Sequence, residues 1–158
     1  MTTVIVVVVV VACIAAAGGV FIMTRRIRQS ALQANEIVPG RPTRAPASWA
    51  GSHDPEARLH RRIRDALALL RSDPKLDYDG ARIDARVRIE IAATELDDRL
   101  ITAAQSPQRL RGPLVAHAET SVAELENLAS EISGGAELRL DHVDAVISRM
   151  TSPPRLDG

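Results

Sequence analysis

The sequence predicts an all-α protein: a single N-terminal transmembrane helix followed by a small cytoplasmic antiparallel helical bundle, a long hairpin plus two shorter helices. Three observations carry this reading. Residues 4–23 form one uncharged apolar run. Beyond residue 54, apolar residues recur three and four apart between helix-start and helix-stop signals. The one strand-like alternation, over residues 82–91, has no second strand in the chain to pair with.

Composition narrows the function classes. The chain has 158 residues, with 20 Lys+Arg balanced by 20 Asp+Glu. Its length fits one modest domain, and its net charge of zero leaves no whole-chain basic footprint. Phe21, Trp49 and Tyr78 are the only aromatic residues. Stacking platforms for single strands need more, so no nucleic-acid partner is expected. The lone Cys13 excludes a disulfide framework and a zinc-finger ligand set.

The first element is residues 4–23. Twenty residues at about 1.5 Å each match the ~30 Å hydrocarbon core of a bilayer. Twelve of them are Val, Ile or Phe, and in lipid only a helix satisfies the backbone of a single span. Met1-Thr2-Thr3 lacks the positive n-region of a cleaved signal peptide. Arg25, Arg26 and Arg28 follow the run directly, with no basic side chain before it. Positive flanks stay inside, so the N-terminus is expected outside the cell membrane and residues 25–158 in the cytoplasm. Ala12, Ala16 and Gly19 share a helix face, and Ala15 with Gly19 makes a small-xxx-small pair. These are the candidate residues for packing against another transmembrane helix.

Residues 25–55 read as the exiting end of that helix and a Pro-rich linker. Ile27, Ala31, Ala34 and Val38 lie near one stripe, and Pro39-Gly40 ends it. Pro39, Pro42, Pro46 and Pro55 predict a semi-extended spacer over residues 39–55. Trp49 in that spacer reads either as an interfacial anchor or, more simply, as an incidental solvated side chain.

The bundle is expected over residues 56–150. Asp54-Pro55-Glu56 starts its first helix with a cap, a proline and an acid. Leu59, Ile63, Leu67 and Leu70 form the seam, and Ser72-Asp73-Pro74 stops it. The second helix is expected over 81–105, on the stripe Ala85, Ile89, Ala92, Leu96, Leu100 and Ala103. Ile83, Val87 and Ile91 then form a second apolar patch on the same helix, able to contact a third helix or a partner, and they are the candidate partner contact. Ser106-Pro107 opens a third helix to about residue 133, with Gly112-Pro113 as a kink or a delayed start. Ala118, Ser121, Leu125, Leu128 and Ile132 mark its seam, and Gly134-Gly135 its end. A fourth helix takes Ala136, Leu140, Val143, Ile147 and Met150 on its seam. Residues 151–158 read as a disordered tail. The long middle helices are joined by almost nothing, so they pack antiparallel.

Catalytic chemistry is hard to find. No two of His53, His60, His117 and His142 are three or four apart, so no helix clamp for a metal is present. Glu137, Asp141 and Asp144 share a helix face but read as solvated. Phosphate-loop, dinucleotide-binding and nucleophile-elbow patterns are absent. No cofactor, no small-molecule substrate and no enzymatic activity are expected.

Charge is unevenly placed. Residues 25–88 hold fourteen basic and eight acidic residues, net +6, and residues 89–158 hold six basic and twelve acidic, net −6. Arg58, Arg61, Arg62 and Arg64, with Arg25, Arg26 and Arg28, are therefore candidates for contact with anionic lipid headgroups. The alternative is that the arginines of the first soluble helix pair with the acidic half of the chain. The leading expectation is a noncatalytic membrane anchor or accessory subunit with a cytoplasmic helical interaction module. Its partner is another membrane-associated protein or a second copy. The runner-up is a lipid-sensing module.

Overall fold

The computed structural model describes residues 35–153. Among these residues the structure is four α-helices with no strand: α1 (Pro55–Ser72), α2 (Gly80–Ala104), α3 (Gln108–Ser133) and α4 (Leu140–Thr151). Two single-turn 3-10 helices, Ala47–Ala50 and Pro74–Asp77, precede α1 and α2. The expected span at residues 4–23 lies outside the described residues. No helix among the described residues is long and apolar enough to cross a membrane.

The helix ends follow local chemistry. Asp54 stands at the N-cap position of α1 with Pro55 first in the helix, but its carboxylate accepts from the Ser52 hydroxyl rather than from the helix. At α2 the Asp79 side chain accepts from the Arg82 backbone N–H at 2.9 Å, a conventional cap. The alternation over 82–91 is helical throughout, as the heptad-like stripe requires. α3 runs through Pro113, which sits on the exposed side near its N-terminus. α4 starts later than its apolar seam suggested. Gly135 takes a positive φ of 92°, and residues 136–139 run without helical structure, so the helix opens at Leu140. Leu140 is exposed instead of lying on the seam, because it occupies the first, outward-facing turn.

The helices alternate in direction. Cross-links along α1 and α2 run in opposite senses: His60 meets Asp97, and Arg71 meets Glu90. α3 and α4 are likewise antiparallel, with His142 near Glu131 and Arg149 paired with Glu124. α2 and α3 form the central hairpin, joined by three residues. α1 packs on both members of this hairpin and α4 does the same, while α1 and α4 make no contact with each other. Ile63, Leu67 and Leu70 of α1, Ile89, Leu96 and Leu100 of α2, Val122, Leu125 and Leu128 of α3 and Val143 and Met150 of α4 form one core. Each such side chain contributes about 1.5–3 kcal/mol by leaving water.

The stretch before α1 departs from the spacer reading. Ile37, Ala45 and Trp49 are buried in the same core, and residues 35–38 are not helical. Asn35 is fully buried and donates its amide to the Pro46 carbonyl at 2.9 Å. Arg71 of α1 donates to the Ile37 carbonyl at 2.6 Å. Arg61 of α1 donates to the Trp49 and Ser52 carbonyls at 2.6 and 2.8 Å. Proline density predicted an extended backbone. It does not predict a detached one: four buried groups and two arginines hold this segment as a strap over α1 and α2.

Candidate functional site: an outward apolar stripe on the second helix

α2 is apolar on two faces. Ala85, Ile89, Ala92, Ala93, Leu96 and Leu100 turn inward and are buried. Positions 83, 87 and 91 drift by only about 80° over eight residues at roughly 100° per residue, so they make one row on the opposite side. Ile83, Val87 and Ile91 are 40%, 42% and 44% exposed. Three large aliphatic side chains thus line an open helix face, where polar residues would ordinarily sit.

The surroundings of the row are ordered. On the α1 side, Arg86 pairs with Asp77 at 2.6 Å, and Glu90 accepts from Arg71 at 2.8 Å. On the α4 side, Arg88 pairs with Asp144 at 2.6 Å and Asp84 is exposed. The strap covers the next turns of the same face. Ile37, Val38 and Thr43 lie against Thr94, Asp97 and Asp98, enclosing a crevice of about 100 Å³. The outward face of α2 is therefore capped in its C-terminal half and open in its N-terminal half.

The arginines proposed for lipid contact do not share an outward face. Arg61 is bound to strap carbonyls. Arg62 makes a two-point ion pair with Glu126 of α3 at 2.8 and 2.6 Å, which raises its pKa further above the ordinary arginine value. Arg64 bonds Asp65 at 2.8 Å, and Arg58 is exposed beside the shallow cleft between α1 and α3. Pairing with the acidic half of the chain is what Arg62 does. Arg25, Arg26 and Arg28, and the transmembrane packing candidates Ala12, Ala15, Ala16 and Gly19, lie outside the described residues.

Two polar pairs escaped the sequence because their partners are far apart along the chain. Glu56, in the first turn of α1, is fully buried, and Arg111 of α3 grips both its carboxylate oxygens. That hydrogen-bonded guanidinium holds the Glu56 carboxyl below its ordinary pKa, against the opposing effect of burial. His60 is fully buried as well. Its Nδ1 lies 2.6 Å from Asp97 Oδ1, its ring meets Trp49 edge-on at 5.5 Å, and its Nε2 has no hydrogen-bond partner. An imidazole so enclosed ties α1, α2 and the strap together and offers no face to an incoming substrate. The capping acid at residue 56 was visible in the sequence, but nothing local marked its partner.

The other histidines are dispersed. His142 lies 3.5 Å from Glu131 at the surface, and His117 sits beside Leu96, Leu100 and Leu114. Of the acids on α4, Asp141 pairs with Arg139, whose hydrogen bond lowers its pKa, and Asp144 pairs with Arg88. Among the described residues no three His, Cys, Asp or Glu side chains converge as a metal site. A groove of about 410 Å³ lies between Leu76, Tyr78 and Arg82 on one side and Ile132 and Leu138 on the other. No family model matches the chain, and no curated protein or solved structure matches it significantly.

Proposed function

We propose that this chain is a noncatalytic single-pass membrane protein whose helical bundle is a protein-interaction module, an anchor or accessory subunit of a membrane-associated assembly. The supporting observation is the row Ile83, Val87 and Ile91, open on a helix whose other face already supplies the core. A helix face of this kind is read by a partner through anchors spaced one turn apart. The membrane part of the proposal rests on the uncharged run at residues 4–23 and the arginines after it. The lipid-sensing alternative has less behind it, since Arg61 and Arg62 are engaged within the bundle.

In-cell crosslinking with mass spectrometry tests the proposal, comparing the wild type with the triple variant I83S/V87S/I91S. The expected outcome is loss of specific crosslinked partners while the fold persists, because exposed substitutions cost only about 0.5 kcal/mol each. Retained partners would refute the assignment of the stripe. Unfolding of the variant would make the stripe part of the core and refute it equally. Replacing residues 4–23 by an unrelated transmembrane helix separates the contribution of the bundle. Partners that survive the swap are chosen by the bundle, whereas partners that vanish are chosen inside the membrane.

A further inference from the structure

We infer that the occupant of the α2 stripe is a second copy of this chain, docked antiparallel about a two-fold axis at Val87. This rests on the reading of the stripe as a docking surface and names its partner.

The order of residues around Val87 carries the argument. Outward in both directions stand Arg86 and Arg88, then Ala85 and Ile89, then Asp84 and Glu90, then Ile83 and Ile91. The row and its charges read nearly the same both ways. An isologous contact needs this self-complementarity, because one patch must fit itself after rotation. With two α2 helices antiparallel, Val87 meets Val87 and Ile83 meets Ile91 of the other copy.

The charges agree with this arrangement. Asp84 and Arg88 lie on the same edge of the row, the one facing away from α1. In the antiparallel pair, Asp84 of one copy stands about 3 Å along the axis from Arg88 of the other, two residues at 1.5 Å each. Unlike charges therefore face each other along this edge, with Arg88 keeping its bond to Asp144 of its own copy at 2.6 Å, so the charged flank fits a second copy of itself. On the other edge Arg86 and Glu90, held by Asp77 and Arg71 of their own copy, alternate in charge in the same way. A parallel pair would bring the two straps, which lie over this same helix face at Thr94 and Asp98, against each other, whereas the antiparallel pair sets each strap beside the N-terminal end of the other copy's α2. The strap ends the accessible face just beyond Ile91, at Thr94 and Asp98, so the open length is centred on Val87. Three half-exposed side chains per copy fall well short of the ~800 Å² per partner of a standard stable interface. The dimer is accordingly weak and concentration-dependent.

Cysteine crosslinking of the full chain in mild detergent, with Cys13→Ser so that the introduced thiol is alone, tests this. At the two-fold, V87C places two thiols opposite each other. Two I83C thiols would be about 12 Å apart along the axis, beyond the ~7 Å Cα separation that a disulfide tolerates. V87C is expected to link at least tenfold faster than I83C or I91C alone, and I83C mixed with I91C is expected to link as readily as V87C. Equal self-linking by all three variants would mean a parallel or collisional encounter and would overturn the inference. Absence of V87C linking would overturn it too. In that case the I83S/V87S/I91S comparison separates the two claims. Loss of a different crosslinked protein leaves the docking surface standing with another occupant, and no change in any partner removes both.

Discussion

Replacing Trp49 by Ala tests whether the strap is an integral part of the folded domain. Trp49 is 5% exposed, and a buried tryptophan removes about 150–250 Å² from water. At about 25 cal/mol per Å² the lost burial is about 4–6 kcal/mol. That figure is an upper one, since the denatured chain already hides part of the ring. Truncation of large aromatic residues in cores costs about 3–5 kcal/mol, and the edge contact with His60 is included in it. Two effects act on the remainder. Arg61 still holds the Trp49 and Ser52 carbonyls, which keeps the backbone in place. With the backbone held, the cavity beside His60 cannot fully collapse. A loss of about 3–4 kcal/mol follows, in the lower half of that range. At about 3–6 °C per kcal/mol for a domain of this size, the expected fall in Tm is roughly 10–20 °C. Thermal melts by far-UV circular dichroism measure it. The emission of the sole tryptophan in the wild type reports the same transition from inside the strap. The two probes should melt together if strap and bundle are one cooperative unit. A Tm change below about 2 °C, or tryptophan emission that reports a solvated ring before the helices melt, would refute the packing argument and restore the spacer.

Three further outcomes are expected. Glu56 has its pKa depressed by Arg111, so its contribution is fully present above the ordinary value of 4.5 and is lost as pH falls through the depressed folded value. The Tm gap between wild type and Glu56→Gln should therefore be constant near neutrality and shrink only on acidification below 4.5, and a gap that is flat across that range would contradict the ion pair. In the His60–Asp97 pair, either single change to Leu should cost about 1–3 kcal/mol by stranding a buried polar partner, and the double change should cost less than the sum, with a coupling of about 0.5–3 kcal/mol in a urea-unfolding cycle; strict additivity would show the 2.6 Å contact to be idle. Arg99 closes the C-terminus of α4 by donating to the carbonyls of Met150, Thr151 and Ser152 at 2.9, 2.8 and 3.2 Å, so Arg99→Ala should raise amide exchange in the last turn of α4 and cost about 1–2 kcal/mol, while unchanged exchange there would rule out the clamp.

Much of the fold was legible because it depends on local patterns. The seam of α2 and its limits follow from a 3.6-residue repeat bounded by Gly80 and the Ser106-Pro107 stop, and the structure places the helix at Gly80–Ala104. The surplus Ile83, Val87 and Ile91 stood out in the sequence as a second apolar row able to meet a third helix or a partner, and it is the packing of the other helices that leaves the row exposed. The short joint between α2 and α3 dictated their antiparallel hairpin. The start of α4 was misplaced because Ala136 is compatible with a helix, whereas the positive φ at Gly135 and the non-helical residues after it are set by how the chain leaves α3.

What the sequence alone determined is therefore what neighbouring residues decide between themselves: four helices, the seams of α1, α2 and α3, the second apolar row on α2, and the uncharged run at residues 4–23. Tertiary structure decided what depends on residues distant in the chain. It put α1 and α4 on opposite flanks of the hairpin. It matched Glu56 with Arg111, His60 with Asp97 and Arg62 with Glu126, pairs separated by 37 to 64 residues. It also turned a proline-rich stretch into a packed strap. Proline restricts the backbone of its own residue, but whether Trp49 faces water or His60 depends on the space left between α1 and α2, and that space exists only once the helices have packed.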